Sequence, residues 1–242
     1  AYAVPVAPDF DESATLESLD DPYAELTPRT YGGLKVVCER QVQGAFGAQA
    51  TVFRLGLVNG PWDHTDRATY WSVRAGEPNR IFVPAHADTP FQVVDSRDVG
   101  RAVVQALERD LAGVYNIVGH QTSWGEWITA SAEARLTDSS AQPPEITWAD
   151  DQHWVEARRK ELDATDDARP RGSLPMFLPP DVGWNFWRAS NAKAVAAGLA
   201  FRRIEQTITA TLSWRLAAEP AELRAGLTPT QEQQLIRAWE SR

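Results

Sequence analysis

Residues 27–47, TPRTYGGLKVVCERQVQGAFG, decide how the chain is read. Thr27 has a side-chain oxygen that can accept from the free amides of a helix start, and Pro28 has the φ of a first helical residue. The stretch therefore predicts a helix from near Pro28 to Gly44 or Gly47. Cys38 falls inside it, at a position expected in the core. Tyr31 and Lys35 stand four apart and so share a helix face. An ammonium beside a phenol favours the phenolate, which a proton-transferring tyrosine requires. Such a pair can run acid/base chemistry on a carbonyl or alcohol; the competing reading is a surface cation beside a half-buried ring. With five tyrosines and three lysines in 242 residues, one such pair arises by chance in roughly 6% of arrangements, so the pair alone does not decide. Gly32 and Gly33 each cost about 1 kcal/mol inside a helix, so something is expected to pack closely there, a cofactor ring or another helix.

Working outward, residues 51–58 (TVFRLGLV) predict a buried strand, and NGPWD after it is turn chemistry. A helix is expected at 69–75, strands at 80–83 and 91–94, and a helix at 97–109 with apolar Val99, Ala102, Val103, Ala106 and Leu107. Residues 113–118 read as another strand, and Ser123 with Glu126 has capping-box spacing for a helix to about Arg135. This alternation predicts an α/β fold with a mainly parallel sheet. Beyond residue 137 the sequence is Pro- and Trp-rich, with a helix expected at 151–162 and a charged run ending at Pro170. Ser190 is expected to cap a short helix ended by Gly198. Residues 205–216 predict a long helix, and Thr228-Pro229 start a last one through Trp239. Upstream, residues 1–6 read like the end of a buried strand and 10–21 like a solvated acidic loop.

Composition bounds the function. Of the 242 residues, 43% are hydrophobic and 24% charged, an ordinary globular composition. The 24 basic and 33 acidic side chains leave a net charge of −9, which argues against nucleic acid or an anionic membrane as main partner. A lone cysteine allows no internal disulfide and no cysteine zinc site, and fits a reducing cytoplasm. The chain has neither a spanning apolar run nor a signal-peptide pattern. His64, His86, His120 and His153 share no metal-ligand spacing, so no metal is expected. Neither a G-x-S-x-G elbow nor a P-loop is present. Arg158-Arg159-Lys160, beside Glu156, Glu161 and Asp163, reads as a solvated helix face. Nine of the ten tryptophans lie at or after Trp71. They read either as structural rings whose N–H groups find partners, or as walls of an aromatic pocket with Trp184 and Trp187 as candidates.

Several of these stretches together resemble the extended short-chain dehydrogenase/reductases, the NAD-dependent epimerase/dehydratase superfamily. Tyr31-Gly-Gly-Leu-Lys35 resembles the family's catalytic helix, and Arg54-Leu-Gly-Leu-Val-Asn-Gly-Pro61 its R-x-x-x-x-x-G-P strand and loop. FQVVDSRDVGRA (91–102) resembles V-x-D-V-A-R-A, and residues 113–119 the YN-x-G strand. Asn191-Ala-Lys193 through Trp214 resembles its C-terminal S-K-A-x-x-x-L-G to T-x-x-W segment. The resemblance implies a Rossmann-like doubly wound α/β fold, seen from its catalytic helix onward, with a smaller, mainly helical substrate-binding cap. Residues 1–60 and 91–120 would be the second half of the dinucleotide-binding domain, and 61–90 with 121–242 the cap.

The same resemblance implies NAD or NADP as cofactor, Tyr31 as acid/base, and Lys35 as the cation that assists it and binds the nicotinamide ribose. The backbone of Gly56 and Leu57 would lie beside the nicotinamide, with Leu57, Phe91, Trp184 and Trp187 toward a small-molecule substrate. A homodimer would form across the face of Val37, Gln41 and Ala45. The family's glycine-rich first turn is not in this sequence, and its catalytic Ser or Thr would precede Ala1; both imply the C-terminal part of a longer enzyme. Leu57 stands where sugar-nucleotide members carry Asn, and the Arg they carry near Phe91 is missing, so a less polar carbonyl or alcohol is expected. The reading from another class is a non-catalytic relative that keeps the fold as a binding or scaffolding protein.

Overall fold

The computed structural model describes residues 1–77, 80–135, 143–164, 172–217 and 222–242. The charged run ending at Pro170 falls largely outside them. In chain order the helices are α1 (Tyr31–Phe46), α2 (Arg67–Arg74), α3 (Ser96–Glu108), α4 (Trp124–Arg135), α5 (Gln152–Asp163), α6 (Ala192–Ala196), α7 (Ile204–Ala217) and α8 (Pro229–Glu240). The strands are β1 (Thr51–Leu55), β2 (Val58–Asn59), β3 (Ile81–Val83), β4 (Pro90–Phe91), β5 (Val94–Asp95), β6 (Gly113–Ile117), β7 (Thr122–Ser123) and β8 (Ile146–Trp148). They pair as β1·β6, β2·β5 and β3·β8, all parallel, and β4·β7, antiparallel. Parallel pairs joined by helical crossovers are the α/β arrangement that the alternation predicts.

Local chemistry sets the helix starts. Ser123 and Glu126 cap α4 reciprocally, as their spacing predicts: Ser123 N–H donates to Glu126 Oε2 at 2.8 Å and Glu126 N–H to Ser123 Oγ at 3.1 Å. Thr228 and Gln231 form the same box on α8, with Pro229 at its start. Asp95 and Asp151 accept from the first-turn amides of α3 and α5. The short α6 departs from expectation, since its N-cap is Asn191, although Ser190 Oγ accepts from Ala192 N–H at 3.3 Å.

Three further expectations are corrected. Regular helix begins at Tyr31 rather than Pro28, because Thr27 and Thr30 close a turn on each other. Thr30 N–H donates to Thr27 Oγ1 and Thr27 N–H to Thr30 Oγ1 before Tyr31 N–H reaches the Thr27 carbonyl. The strand expected at 91–94 is two short strands with different partners. Between them, Gln92 uses its side chain to bond the Gly119 and Ala189 carbonyls and the Ala189 N–H, which interrupts the ladder. Cys38 is exposed, since the buried stripe of α1 is Gly32, Gly33, Val36 and Glu39, on another face.

The larger core cluster joins α2, α4, α7 and α8 to β3 and contains Trp71, Trp124, Trp127, Phe82, Phe91, Ile128 and Ile208. A smaller one packs α3 and α6 on β6 through Val94, Ala102, Tyr115, Ile117, Ala194 and Leu199. The tryptophan N–H groups do not all find partners. Trp71 Nε1 donates to the Pro175 carbonyl at 2.7 Å, whereas Trp124, Trp127 and Trp187 have no acceptor among the described residues. The basic cluster on α5 is only partly the solvated face expected: Lys160 is exposed, but Arg158 and Arg159 are half-buried and Glu156 is buried, in Arg158–Glu161, Arg159–Glu156 and Lys160–Glu156 pairs. Among the described residues no helix is long and apolar enough to cross a membrane.

Candidate active site

Tyr31 opens α1, and Lys35 follows one turn later; both are exposed, Tyr31 at 56%. The opposite face of the helix lies on the chain's own N-terminal segment, and this is what the two glycines accommodate. A Cβ on Gly33 would meet Leu19 Cβ at 2.7 Å and the Ser18 carbonyl at 3.3 Å, and one on Gly32 would collide with the Glu17 carboxylate. The expected close neighbour is therefore a strap of residues 17–19 rather than a cofactor ring or another helix.

Lower on the same helix, Glu39 anchors α1 to the sheet. Arg54, from β1, donates to both its carboxylate oxygens, Nη2 at 2.5 Å and Nε at 3.1 Å. The remaining Arg54 nitrogen donates to Tyr2 Oη at 3.1 Å and to the Glu12 carbonyl at 2.8 Å. Tyr2 Oη donates in turn to Asn116 Oδ1 at 2.5 Å, and Asn116 stands opposite Arg54 in the parallel register. Burial opposes the Arg54 charge, but the bonds to Glu39 and Tyr2 outweigh it and hold its pKa above the ordinary value. Burial pushes the Tyr2 phenol up, against the pull of Arg54.

None of these four residues was expected from the sequence as part of a network. The signal was present in a charged residue within an otherwise apolar strand, which requires a buried partner, and in a glutamate one turn after Lys35.

Gly56 and Leu57 follow the carboxyl end of β1. Gly56 N–H donates to the Ile117 carbonyl, and the Leu57 carbonyl accepts from Val94 N–H at 2.9 Å, which joins the two parallel pairs. A Cβ on Gly56 would meet Val118 Cγ1 at 2.9 Å, so glycine lets β6 approach here. Phe91 is fully buried among Trp124, Trp127 and Trp187, with ring centroids 4.8, 5.0 and 6.0 Å away. Trp187 is buried beside it, and Trp184 is half-buried against Phe177. The structure thus brings Phe91 and Trp187 together in the core. Among the described residues no hydrogen bond or ring contact joins either of them to Tyr31 or Lys35.

Two cavities lie elsewhere. One, of about 590 Å³, opens between α2 and α8 beside a buried Arg74–Glu232 pair. Glu232 accepts from Arg74 Nε at 2.8 Å, from Arg74 Nη2 at 2.6 Å and from Phe82 N–H at 3.0 Å. Burial raises its pKa despite Arg74. The other, of about 560 Å³, is a shallow groove along α4 whose lining includes His120, Glu126, Glu133, Arg203 and Ile204.

Tyr31 and Lys35 present their heads to solvent, and Gly56 and Leu57 sit at the carboxyl end of a parallel strand, where ligands bind in open α/β sheets.

Parallel strand pairs joined by helical crossovers define a Rossmann-like α/β fold. Among solved structures, the chain is similar to a dTDP-4-dehydrorhamnose reductase from Clostridium acetobutylicum, with 13% identity and a TM-score of 0.54 over 88% of this chain and 61% of that one. It is also similar to the enzyme WbmH of Bordetella bronchiseptica in complex with NAD+, with 16% identity and a TM-score of 0.52 over 88% and 58%. A third similar structure is gox2253, with 17% identity and a TM-score of 0.50 over 88% and 62%. The chain spans about three fifths of the length of these proteins. No protein-family model matches the sequence, and no curated protein does.

Proposed function

We propose that the protein is an NAD(P)-dependent oxidoreductase or epimerase-type enzyme of the short-chain dehydrogenase/reductase kind, acting on a carbonyl or alcohol outside the nucleotide sugars. The observation that carries this is Tyr31 and Lys35 on one exposed face of α1, a helix tied by a buried ion pair to β1, the strand that leads into Gly56-Leu57. The cofactor, when bound, supplies or accepts the hydride. The Tyr31 phenol gives or takes the proton at the substrate oxygen, and the Lys35 ammonium stabilises the phenolate and reaches the ribose hydroxyls. The backbone at Gly56 and Leu57 flanks the nicotinamide. Leu57 and Trp184 face the substrate, while Phe91 and Trp187 stiffen that wall from behind. The face of Val37, Gln41 and Ala45, half-buried to exposed in the single chain, is the proposed homodimer contact. A cytoplasmic setting fits the single exposed thiol of Cys38.

Tyr31→Phe tests the reading. In the complete protein, turnover should fall at least ~10²-fold while NAD(P)H binding, read by calorimetric titration, persists. Lys35→Met should impair both. Near-normal turnover in Tyr31→Phe would overturn the assignment.

A further inference from the structure

Lys35 stands midway between two groups that want its ammonium, Tyr31 one turn before it and Glu39 one turn after it. Side chains four apart on a helix are neighbours, and an acid and a base so placed pair readily. Here they do not: among the described residues Lys35 has no ion pair, while both Glu39 oxygens are taken by Arg54 at 2.5 and 3.1 Å. A guanidinium fork engages both oxygens of a carboxylate at once and neutralises its charge, which weakens its pull on a second cation. The fork cannot swing aside, because Tyr2 Oη and the Glu12 carbonyl hold its third nitrogen. Glu39 is 9% exposed and the Arg54 side chain 10%, so neither charge has water to fall back on.

We propose that Arg54 is a positioning residue for the Tyr31–Lys35 pair: by neutralising the buried Glu39 carboxylate, it keeps the Lys35 ammonium free for Tyr31. Its catalytic consequence rests on the function proposed above; the pairing itself does not. Without the guanidinium, the buried Glu39 carboxylate needs another cation. The one on its own helix face is Lys35, and the pairing draws the ammonium down the helix, away from Tyr31. The other charged groups nearby are the Ala1 amine, Glu12 and Glu17.

The chain has three lysines, so an amine-reactive label read by peptide mass spectrometry reports each one separately. Lys160, already 3.2 Å from Glu156, and Lys193, over the Tyr115 ring, are internal references. Arg54→Met should slow labelling of Lys35 about two- to fivefold, the range of an ion pair of this kind, and leave the references unchanged. Arg54→Met with Glu39→Gln should restore the original rate. A merely structural role predicts the opposite sign, since loosening α1 speeds labelling. An unchanged or faster Lys35 rate in Arg54→Met, or no recovery in the double variant, overturns the proposal. If Arg54→Met does not fold, Arg54→Lys, which keeps the charge but loses the fork, should slow Lys35 in the same direction, and no slowing there counts equally against it. Labelling needs no turnover, so its outcome and that of Tyr31→Phe are read independently.

Discussion

Around α1 the chain meets itself through backbone and ion pairs, whereas around Phe91 it does so through aromatic rings. The first region has two glycines under a strap and the Arg54–Glu39 fork with Tyr2 and Asn116. The second stacks Tyr70, Trp71, Trp124, Phe91 and Trp127 edge to face or tilted at 4.8–5.0 Å. Ring packing supplies large burial with little directional demand, and three buried indole N–H groups there have no acceptor among the described residues. The α1 region holds little apolar volume but fixes orientation, which is what a proton-transferring pair requires. Stability is concentrated in one region and positional precision in the other.

Substitutions that attack each currency separately can break that contrast. Trp71→Ala should have the largest effect, about 4–5 kcal/mol, since it empties a fully buried site and loses the bond to the Pro175 carbonyl. The measurement is the shift of a urea midpoint at constant slope, and a loss under about 2 kcal/mol would mean that the rings are not the main support.

Asp95→Asn follows, at about 2 kcal/mol, because Asp95 links α3 to α7 by capping α3 and accepting from Thr207 on α7 at 2.8 Å. Burial raises the Asp95 pKa, but the bonds from Arg97 and Thr207 outweigh it and hold the carboxyl below its ordinary value. Its contribution is therefore present above the ordinary aspartate range and lost as pH falls through the depressed value, so the gap between wild type and Asp95→Asn should close on acidification. Glu232, raised by burial, works the other way: its contribution is present at low pH and lost as pH rises through its raised value.

The glycine pair gives the smallest and most discriminating effect. Gly33→Ala drives a methyl into Leu19 and the Ser18 carbonyl and should cost about 1 kcal/mol net of improved helix propensity. Gly32→Ala meets only the movable end of Glu17 and should be neutral, or stabilising by up to about 1 kcal/mol. Thermal melts of the two variants should separate; equal melts would show that the strap does not bear on α1.

Legibility in the sequence follows the same contrast. Helix starts are local, so the Ser123/Glu126 box and the Thr228-Pro229 start were readable and form as expected. The α/β alternation was readable for the same reason. Strand 91–94 was not, because its division depends on partners at 58–59 and 122–123 and on Gln92 reaching residue 189. The orientation of α1 misled the hydrophobic reading because its buried stripe consists of Gly32, Gly33, Val36 and Glu39, of which only Val36 looks like core. Cys38, apolar by composition, was therefore placed on the wrong side. Tyr31 and Lys35 were legible as a pair, but what holds them in place comes from residues 2, 12, 54 and 116, separations that no local pattern carries.

The clasp of Glu232 on Arg74 and Phe82 sets an order of events in folding. It joins residues 158 positions apart, and closing a loop of that length costs about 4–5 kcal/mol of chain entropy before the contact returns anything. Helix α8 is accordingly expected to dock late, onto α2 and β3, and to be among the first elements to detach when the native state opens locally. Amide exchange should then divide α8 from α2 even though one buried ion pair links them, with the C-terminal helix exchanging at a lower free energy than the helix it grips.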